Sequence, residues 1–380
     1  MTSKLHTEVL KVDSGSISFN ADGTAVDISD PETRANLQKA ADILNTTSHA
    51  IGFPSETVYG LGGSSLSDES VKSIYAAKNR PADNPLISHV SSINQLQRKL
   101  LVPGQKIPDI YEPLIAKFWP GPLTILLPMP ADLTSSPISQ LVTAGQSTFA
   151  VRMPKHPVAR ALILLADLPL AAPSANASTR PSPTTAAHVF HDLQGKIPLI
   201  LDGGPCDVGL ESTVVDGLSD PPMLLRPGGI SLEQIKQAGG PRWSNIVLAK
   251  KTAGKLEPVR TPGMKYRHYS PTAKVVLFTN CGDGKQKVGD YIAENNLAGK
   301  KIALLRTRNF ATAAEISPLI TLDSPLGQSG DEIQHNLFSS FRDLDDQNYD
   351  FILVEGVDET DEGLAIMNRL SKAASETING

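Results

Sequence analysis

Residues 75–86 read YAAKNRPADNPL, and residues 169–184 read PLAAPSANASTRPSPT. Each begins in letters that suit a regular element, then breaks into prolines, which donate no backbone hydrogen bond and stop helices and inner strands. The periodicity predicts a helix over 68–79 before the first break, with Ser67 as its cap and Val71, Ile74, Tyr75 and Lys78 on one stripe. It predicts a strand over 86–90 after that break, and a strand over 170–172 leading into the second. Two polar triplets, Lys78-Asn79-Arg80 and Ser174-Ala175-Asn176, therefore stand on stiff turns at element ends. Arg neutralises phosphate oxygens through a planar fork and Lys as a point charge, while Ser and Asn fix orientation through neutral hydrogen bonds. A solvated helix end beside an unrelated proline-rich loop would give the same letters, so spacing alone leaves both readings open.

The pattern continues on both sides of these turns. Residues 1–30 read as an irregular or extended arm. A helix over 32–46 is opened by Asp30-Pro31-Glu32, with proline in the first turn and an acid near the positive end of the helix dipole. Short strands are expected over 49–53, 123–128, 148–153, 198–202, 212–216 and 223–226, with helices over 112–118, 157–165 and 184–193. Interleaved short strands and helices imply a mixed α/β domain around a curved sheet, without fixing its strand order. From 232 to 272 the periodicity fades into Gly, Pro and charge, and 246–272 reads as a linker. Beyond it, strands over 274–278, 301–305 and 351–355 alternate with helices over 284–295, 330–346 and 363–374. That is the pattern of a small, mostly parallel, doubly wound Rossmann-like domain. The expected division is an arm over 1–30, a first domain over 31–245, a linker over 246–272 and a second domain over 273–380.

Bulk properties exclude several classes. The 380 residues are enough for two domains, and 40% hydrophobic content fills ordinary cores. A net charge of -5 gives no global basic field for nucleic acid or anionic lipid. The only two cysteines, Cys206 and Cys281, fall in different domains, which excludes a disulfide framework and fits a reducing compartment. No apolar run approaches the ~18 residues of a membrane span, and the start lacks a secretory core, so the cytoplasm is the expected location. There is no Walker A sequence and no Gly-x-Ser-x-Gly elbow, and Gly60-Leu61-Gly62-Gly63 lacks the third glycine of a dinucleotide fingerprint. His188 and His191 share a helix face but bring no third metal ligand.

Four further positions stand out. Arg152, in TFAVRMP, is either an edge-strand charge in water or a clamp for a carboxylate or phosphate. His89, in LISHV, is structural or catalytic. The Glu211-Ser212-Thr213 hydroxyls at a strand mouth serve a ligand or the preceding turn. Arg226 precedes the turn Pro227-Gly228-Gly229, a place for a phosphate contact or an ordinary surface charge.

Taken together, PSETVYGLG, KNRPADNPL, FWPGPLT, VRMP, APSAN, ESTVVD and LRPG resemble the threonylcarbamoyl-AMP synthase family with its YrdC-type fold, in the family's order and spacing. The linker KYRHYSP and the ending GLAIMNRLSKAA resemble the family's longer, two-domain members. The resemblance implies an enzyme, a nucleotidyltransferase that combines L-threonine, bicarbonate and ATP into L-threonylcarbamoyl-AMP and pyrophosphate. It implies Mg2+ arriving with ATP and no metal site of the protein's own. The product would feed tRNA modification, through a partner complex that transfers the threonylcarbamoyl group. By motif, Arg80, Asn84, Thr148, Ser174, Ser182 and Arg226 would contact ATP or the adenylate, and Thr57, His89, Arg152, Ala172 and Ser212 would line the threonine side. Lys78 would neutralise phosphate charge and Asn176 would order its loop. Where the family's pattern admits a hydroxyl, this chain has Ala172, so a contact there is backbone or methyl.

Tyr266, Arg267, His268 and Tyr269 are unusual for a linker, since aromatic faces are wasted in water. They suggest a linker that closes over the first domain's pocket, with Tyr269 against ATP. The competing reading is an RNA-binding module of the same pathway with no adenylation activity, which needs a basic face that the total charge does not promise.

Overall fold

A computed structural model describes residues 5–79, 84–249 and 268–380. The chain divides into two compact units. The first comprises residues 1–178, 182–207 and 211–265; the second comprises 266–380 with the short segments 179–181 and 208–210.

The described strands of the first unit are β1 (Glu8–Lys11), β2 (Ile17–Phe19), β3 (Val26–Ile28), β4 (Ile51–Phe53), β5 (Gly60–Ser64), β6 (Ile87–His89), β7 (Leu123–Pro128), β8 (Thr148–Arg152), β9 (Leu170–Ala171), β10 (Leu199–Asp202), β11 (Thr213–Asp216), β12 (Met223–Arg226) and β13 (Val247–Leu248). β2 and β3 form an antiparallel pair of their own. The others make one mixed sheet in the order β1-β10-β4-β5-β9-β6-β8-β7-β11-β12-β13. The helix Pro31–Thr46 starts as its letters predict: the Asp30 carboxylate accepts the Thr33 N–H at 2.8 Å, and Pro31 occupies the first turn. Its apolar stripe of Leu37, Ala40, Ala41 and Leu44 packs with Val158 and Leu162 of the helix Pro157–Ala166 and with Leu199 and Leu201 of β10. Burying each of those leucines contributes roughly 2 kcal/mol.

Register places the polar residues. His89 pairs with Arg152 across β6 and β8, and Arg152 pairs with Thr124 across β8 and β7. Thr124 pairs with Val214 across β7 and β11, and Val214 with Arg226 across β11 and β12. Paired residues share a face of a sheet. One row across five neighbouring strands therefore carries two arginines, a histidine and a threonine, which no local pattern could reveal.

The second unit contains β14 (Lys274–Thr279), β15 (Ile302–Arg306), β16 (Ile320–Pro325), β17 (Phe351–Glu355) and β18 (Glu376–Asn379). All pair in parallel, in the order β16-β15-β17-β14-β18. The inner strands are near-continuous apolar runs, as a sheet covered on both faces requires.

Several expectations need correction. The stretch 1–30, expected as an irregular or extended arm, is extended where it supplies β1, which pairs in register with β10, and the β2–β3 pair, so it belongs to the first unit's sheets rather than standing apart. The stretch after 231 does not lose structure at once. A helix runs Leu232–Gly239, opened by a reciprocal capping box in which the Gln234 N–H donates to Ser231 Oγ and the Ser231 N–H to Gln234 Oε1. Its eight residues bury Ile235 as their only large apolar side chain, too little to register as a period. β5 was not expected because Gly-Leu-Gly-Gly-Ser lacks strand-forming residues. The glycines are required by the neighbouring strand: a Cβ on Gly62 would lie 2.6 Å from Phe53 Cε1, and one on Gly60 2.9 Å from Phe53 Cζ. β16 and β18 were also missed. Both are sheet edges with partly exposed residues, and β16 ends in proline.

Candidate active site

Arg152 ends β8 and is 3% exposed, so it is not a charge standing in water. Its Nη2 donates to Glu56 Oε1 at 2.6 Å, its Nη1 to Thr57 Oγ1 at 2.9 Å, and its Nε to the Gly121 carbonyl at 3.1 Å. These bonds use three of the guanidinium's five N–H groups. One N–H on each terminal nitrogen remains, and each can donate to an anionic ligand. Burial alone would raise the Glu56 carboxyl, but the Arg152 charge and hydrogen bond outweigh it and hold the group below the usual carboxylate range. The other Glu56 oxygen accepts the His156 N–H at 3.3 Å. Ser55 Oγ lies 2.9 Å from Thr57 Oγ1, which fixes the hydroxyl facing Arg152.

His89 lies beside Arg152 and is buried. Desolvation first, then the Arg152 charge, pushes its pKa down to about 3, so the ring is neutral at pH 7. Its Nδ1 is 3.1 Å from the Ile87 carbonyl, and the Phe53 ring meets it edge-on. Further along the row, Arg226 donates from Nη2 to Ser212 Oγ at 3.1 Å and from Nε to the Ser212 carbonyl at 3.0 Å. Ser212 Oγ also lies 2.8 Å from Thr124 Oγ1. Thr57, His89, Arg152, Ser212 and Arg226 are thus joined through shared strands and bonds.

The Ser174–Asn176 loop is held by Lys78. That lysine ends the helix Asp68–Lys78, yet it is 2% exposed rather than solvated. Its ammonium donates to the Ser174 carbonyl, to the Asn176 carbonyl at 2.5 Å and to Asn176 Oδ1 at 3.4 Å. Ser174 Oγ donates to Asn176 Oδ1 at 2.5 Å, and the Asp192 carboxylate accepts the Ala177 N–H at 2.9 Å. The loop also meets β5, through a bridge between Gly60 and Ser174. Asn79, in the left-handed region at φ 52°, lets the chain leave the helix sharply.

The remaining candidates are placed less closely. Ala172 is buried, its N–H donates to the Ile87 carbonyl at 3.0 Å, and its side chain belongs to the core cluster that holds Phe53 and Leu170. Ser182 donates its hydroxyl to Glu211 Oε1. The Asn84 carbonyl accepts the Tyr75 hydroxyl at 3.0 Å. Thr148 starts β8, roughly 13 Å from the Arg152 end at ~3.3 Å per residue. Arg80, Tyr266 and Arg267 lie outside the described residues. Tyr269 belongs to the second unit, where its ring is 1% exposed, 5.1 Å from Phe338 and under the Arg369 guanidinium at 5.7 Å. His188 is turned to its own loop, its Nδ1 accepting the Thr184 N–H at 3.2 Å, and His191 Nδ1 lies 3.1 Å from Asp192.

Glu56 and Asp192 are absent from the sequence expectations, and Glu211 enters them only as a neighbour of the Ser212 and Thr213 hydroxyls. The one available signal was an arginine inside an apolar strand, which demands a counter-charge somewhere in the chain. Cys206 is near the site but inert, since burial pushes its thiol far up.

A family model described as "Telomere recombination" matches residues 46–228, and one described as "Threonylcarbamoyl-AMP synthase, C-terminal domain" matches residues 230–375. A Schizosaccharomyces pombe protein named threonylcarbamoyl-AMP synthase is 52% identical over 407 aligned residues, covering 99% of each chain. A Pyrococcus abyssi protein of the same name is 44% identical, covering 86% of this chain and 91% of its own. The crystal structure of P. abyssi Sua5 complexed with L-threonine superposes with a TM-score of 0.82 at 38% identity, covering 98% of this chain and 99% of that one.

Proposed function

The chain belongs to the threonylcarbamoyl-AMP synthase family, and on that premise we propose how its site makes the adenylate. The reaction is the condensation of L-threonine, bicarbonate and ATP to L-threonylcarbamoyl-AMP and pyrophosphate. Threonine's amine and bicarbonate give a carbamate and water. A carbamate oxygen then attacks the α-phosphorus of ATP while pyrophosphate leaves. No covalent enzyme intermediate is needed; the protein aligns reactants and meets developing charge with fixed donors.

The observation that carries the reading is the bond between Arg226 Nη2 and Ser212 Oγ at 3.1 Å. It ties the ATP side to the threonine side in the same row as Arg152. The two uncommitted N–H groups of Arg152 suit the threonine carboxylate, with Thr57 beside them and the neutral His89 and Ala172 as walls. Arg80, Asn84, Thr148, Ser182 and Arg226 take ATP. Lys78 acts through the Ser174–Asn176 loop, whose carbonyls it gathers, so that Ser174 Oγ is set at a fixed place near the phosphates. Mg2+ enters as part of its ATP complex. Among the described residues no three His, Cys, Asp or Glu side chains gather to hold an ion.

On the same reading, a complex that transfers the threonylcarbamoyl group to tRNA consumes the product, and we propose the cytoplasm as the place of this work. Among the described residues no helix is long and apolar enough to cross a membrane. Family membership favours the synthase over a binding module without chemistry of its own. The test is pyrophosphate release from ATP by the purified chain, omitting L-threonine and bicarbonate in turn. Release that needs both supports the reaction; inorganic phosphate without pyrophosphate refutes it.

A further inference from the structure

The second unit holds a polar crevice that the reaction above does not use. From β14 the chain crosses β17 to reach β15 and continues outward to β16. It then returns to β17, between β15 and β14, and finally crosses β14 to reach β18. Crossovers between parallel strands are right-handed. The chain leaves β14 and β15 in one direction across the sheet and leaves β17 in the other, so the following helices pack on opposite faces. The loops part at the carboxyl ends of these strands, the place where open α/β sheets hold ligands. A cavity of about 90 Å³ lies there, lined from the ends of β14, β15 and β17.

Glu355 frames it. This carboxylate is 2% exposed and accepts the N–H groups of Thr307 at 2.6 Å, Arg308 at 3.2 Å and Asn309 at 2.7 Å. Its charge is thereby committed to the turn after β15. Two other charges on the lining are not committed. Arg308 donates from Nε to the Gln328 carbonyl at 3.0 Å, but its terminal nitrogens have no ion-pair partner among the described residues. The Asp358 carboxylate has none either, and the two side chains are not paired with each other. Both are exposed at the crevice mouth, and Asn280 and Asn309 add amide donors and acceptors between the strands.

An uncommitted cation and an uncommitted anion on one small polar cavity call for a ligand bearing both charges. The cavity is small and its lining is mostly polar, with Asn280, Asn309 and Glu355 beside the two charges, which suits a small polar ligand. We infer that the crevice binds a free α-amino acid as its zwitterion, carboxylate to Arg308 and ammonium to Asp358. This site is independent of the threonine side in the first unit, since none of its residues belongs to that unit.

The test is titration of the isotope-labelled full chain, following the backbone amides of Gly282, Gly356 and Asp358 by NMR. Glycine, L-serine and L-threonine are the probes, with acetate and methylamine as single-charge controls. The inference predicts saturable shifts with the amino acids in the millimolar range. Arg308→Gln and Asp358→Asn, both at exposed positions, each weaken that binding about ten- to a hundredfold, the worth of one charged hydrogen bond. Absence of saturable shifts overturns it. Acetate binding as tightly as glycine overturns the zwitterion, and unchanged affinity in both variants overturns the assignment of the two charges.

Discussion

The two sheets bury polar chemistry in opposite ways. In the second unit the inner strands β14, β15 and β17 are apolar along their length, and Glu355 waits at the carboxyl end of β17. In the first unit the row His89–Arg152–Thr124–Val214–Arg226 runs through the middle of the sheet itself. The first arrangement is specified by runs of apolar residues alone. The second is tolerable because its buried guanidinium groups are hydrogen-bonded, Arg152 to Glu56 from a distant stretch of chain and Arg226 to Ser212 just ahead of the neighbouring strand. Such a row costs stability and is the mark of a site, where strain and charge are kept for the ligand.

The comparison breaks most sharply at Arg152. Arg152→Ala leaves Glu56 as an unpaired buried carboxylate, which costs about 3–5 kcal/mol of stability. Both tryptophans, Trp119 and Trp243, lie in the first unit, so their fluorescence reads that unit's unfolding. The tryptophan transition in urea is expected to move by that amount; a shift below about 1 kcal/mol would show that the pair is not structurally coupled.

Next comes Gly62→Ala. Its new methyl meets the Phe53 ring at 2.6 Å, and overpacking of this kind costs about 1–3 kcal/mol, read by the same fluorescence. An unchanged midpoint would mean that β5 tolerates ordinary strand residues.

How far the letters could be read follows from the same contrast. Asp30-Pro31 announces the helix Pro31–Thr46, and Ser67 the helix Asp68–Lys78, because caps act within four residues. The strands β14, β15 and β17 declare themselves by composition. β5 does not, because its glycines answer to a phenylalanine in the preceding strand rather than to strand propensity. Lys78 and Arg152 stand out as candidates, but their burial and partners do not, since Ser174 and Glu56 are 96 residues away from them. Glu56 and Glu211 gain meaning only once their partners Arg152 and Ser182 are in place.

Acid sharpens the comparison more gently. The folded His89 titrates near 3 against an ordinary 6.5, so between those values the unfolded chain binds the extra proton. Stability therefore falls as pH falls through that window, by about 1.4 kcal/mol per pH unit. His156, whose pKa burial also lowers, adds loss of the same sign. Between pH 7 and pH 5 the first unit is expected to lose about 2 kcal/mol to His89, and His89→Gln to lose less by that margin. Parallel losses in the two proteins would mean that the ring is accessible to protons in the fold.

The smallest effect lies in the second unit. Lys285 pairs with Glu315 at 3.3 Å with both side chains about half exposed, so Lys285→Ala is expected to leave the hydrogen-exchange protection of the β14 and β15 amides unchanged. A loss of that protection would show that exposed charges in the second unit matter as buried ones do in the first.

On the proposed reading one row joins two substrate sides, Arg152 to L-threonine and Arg226 to ATP. Its most direct test is the KM for each substrate in Arg152→Lys and Arg226→Lys, which keep the charge and remove the fork. Arg152→Lys is expected to raise the threonine KM about ten- to a hundredfold with little change for ATP, and Arg226→Lys to do the reverse. Equal shifts of both constants in either variant, or none, would contradict it.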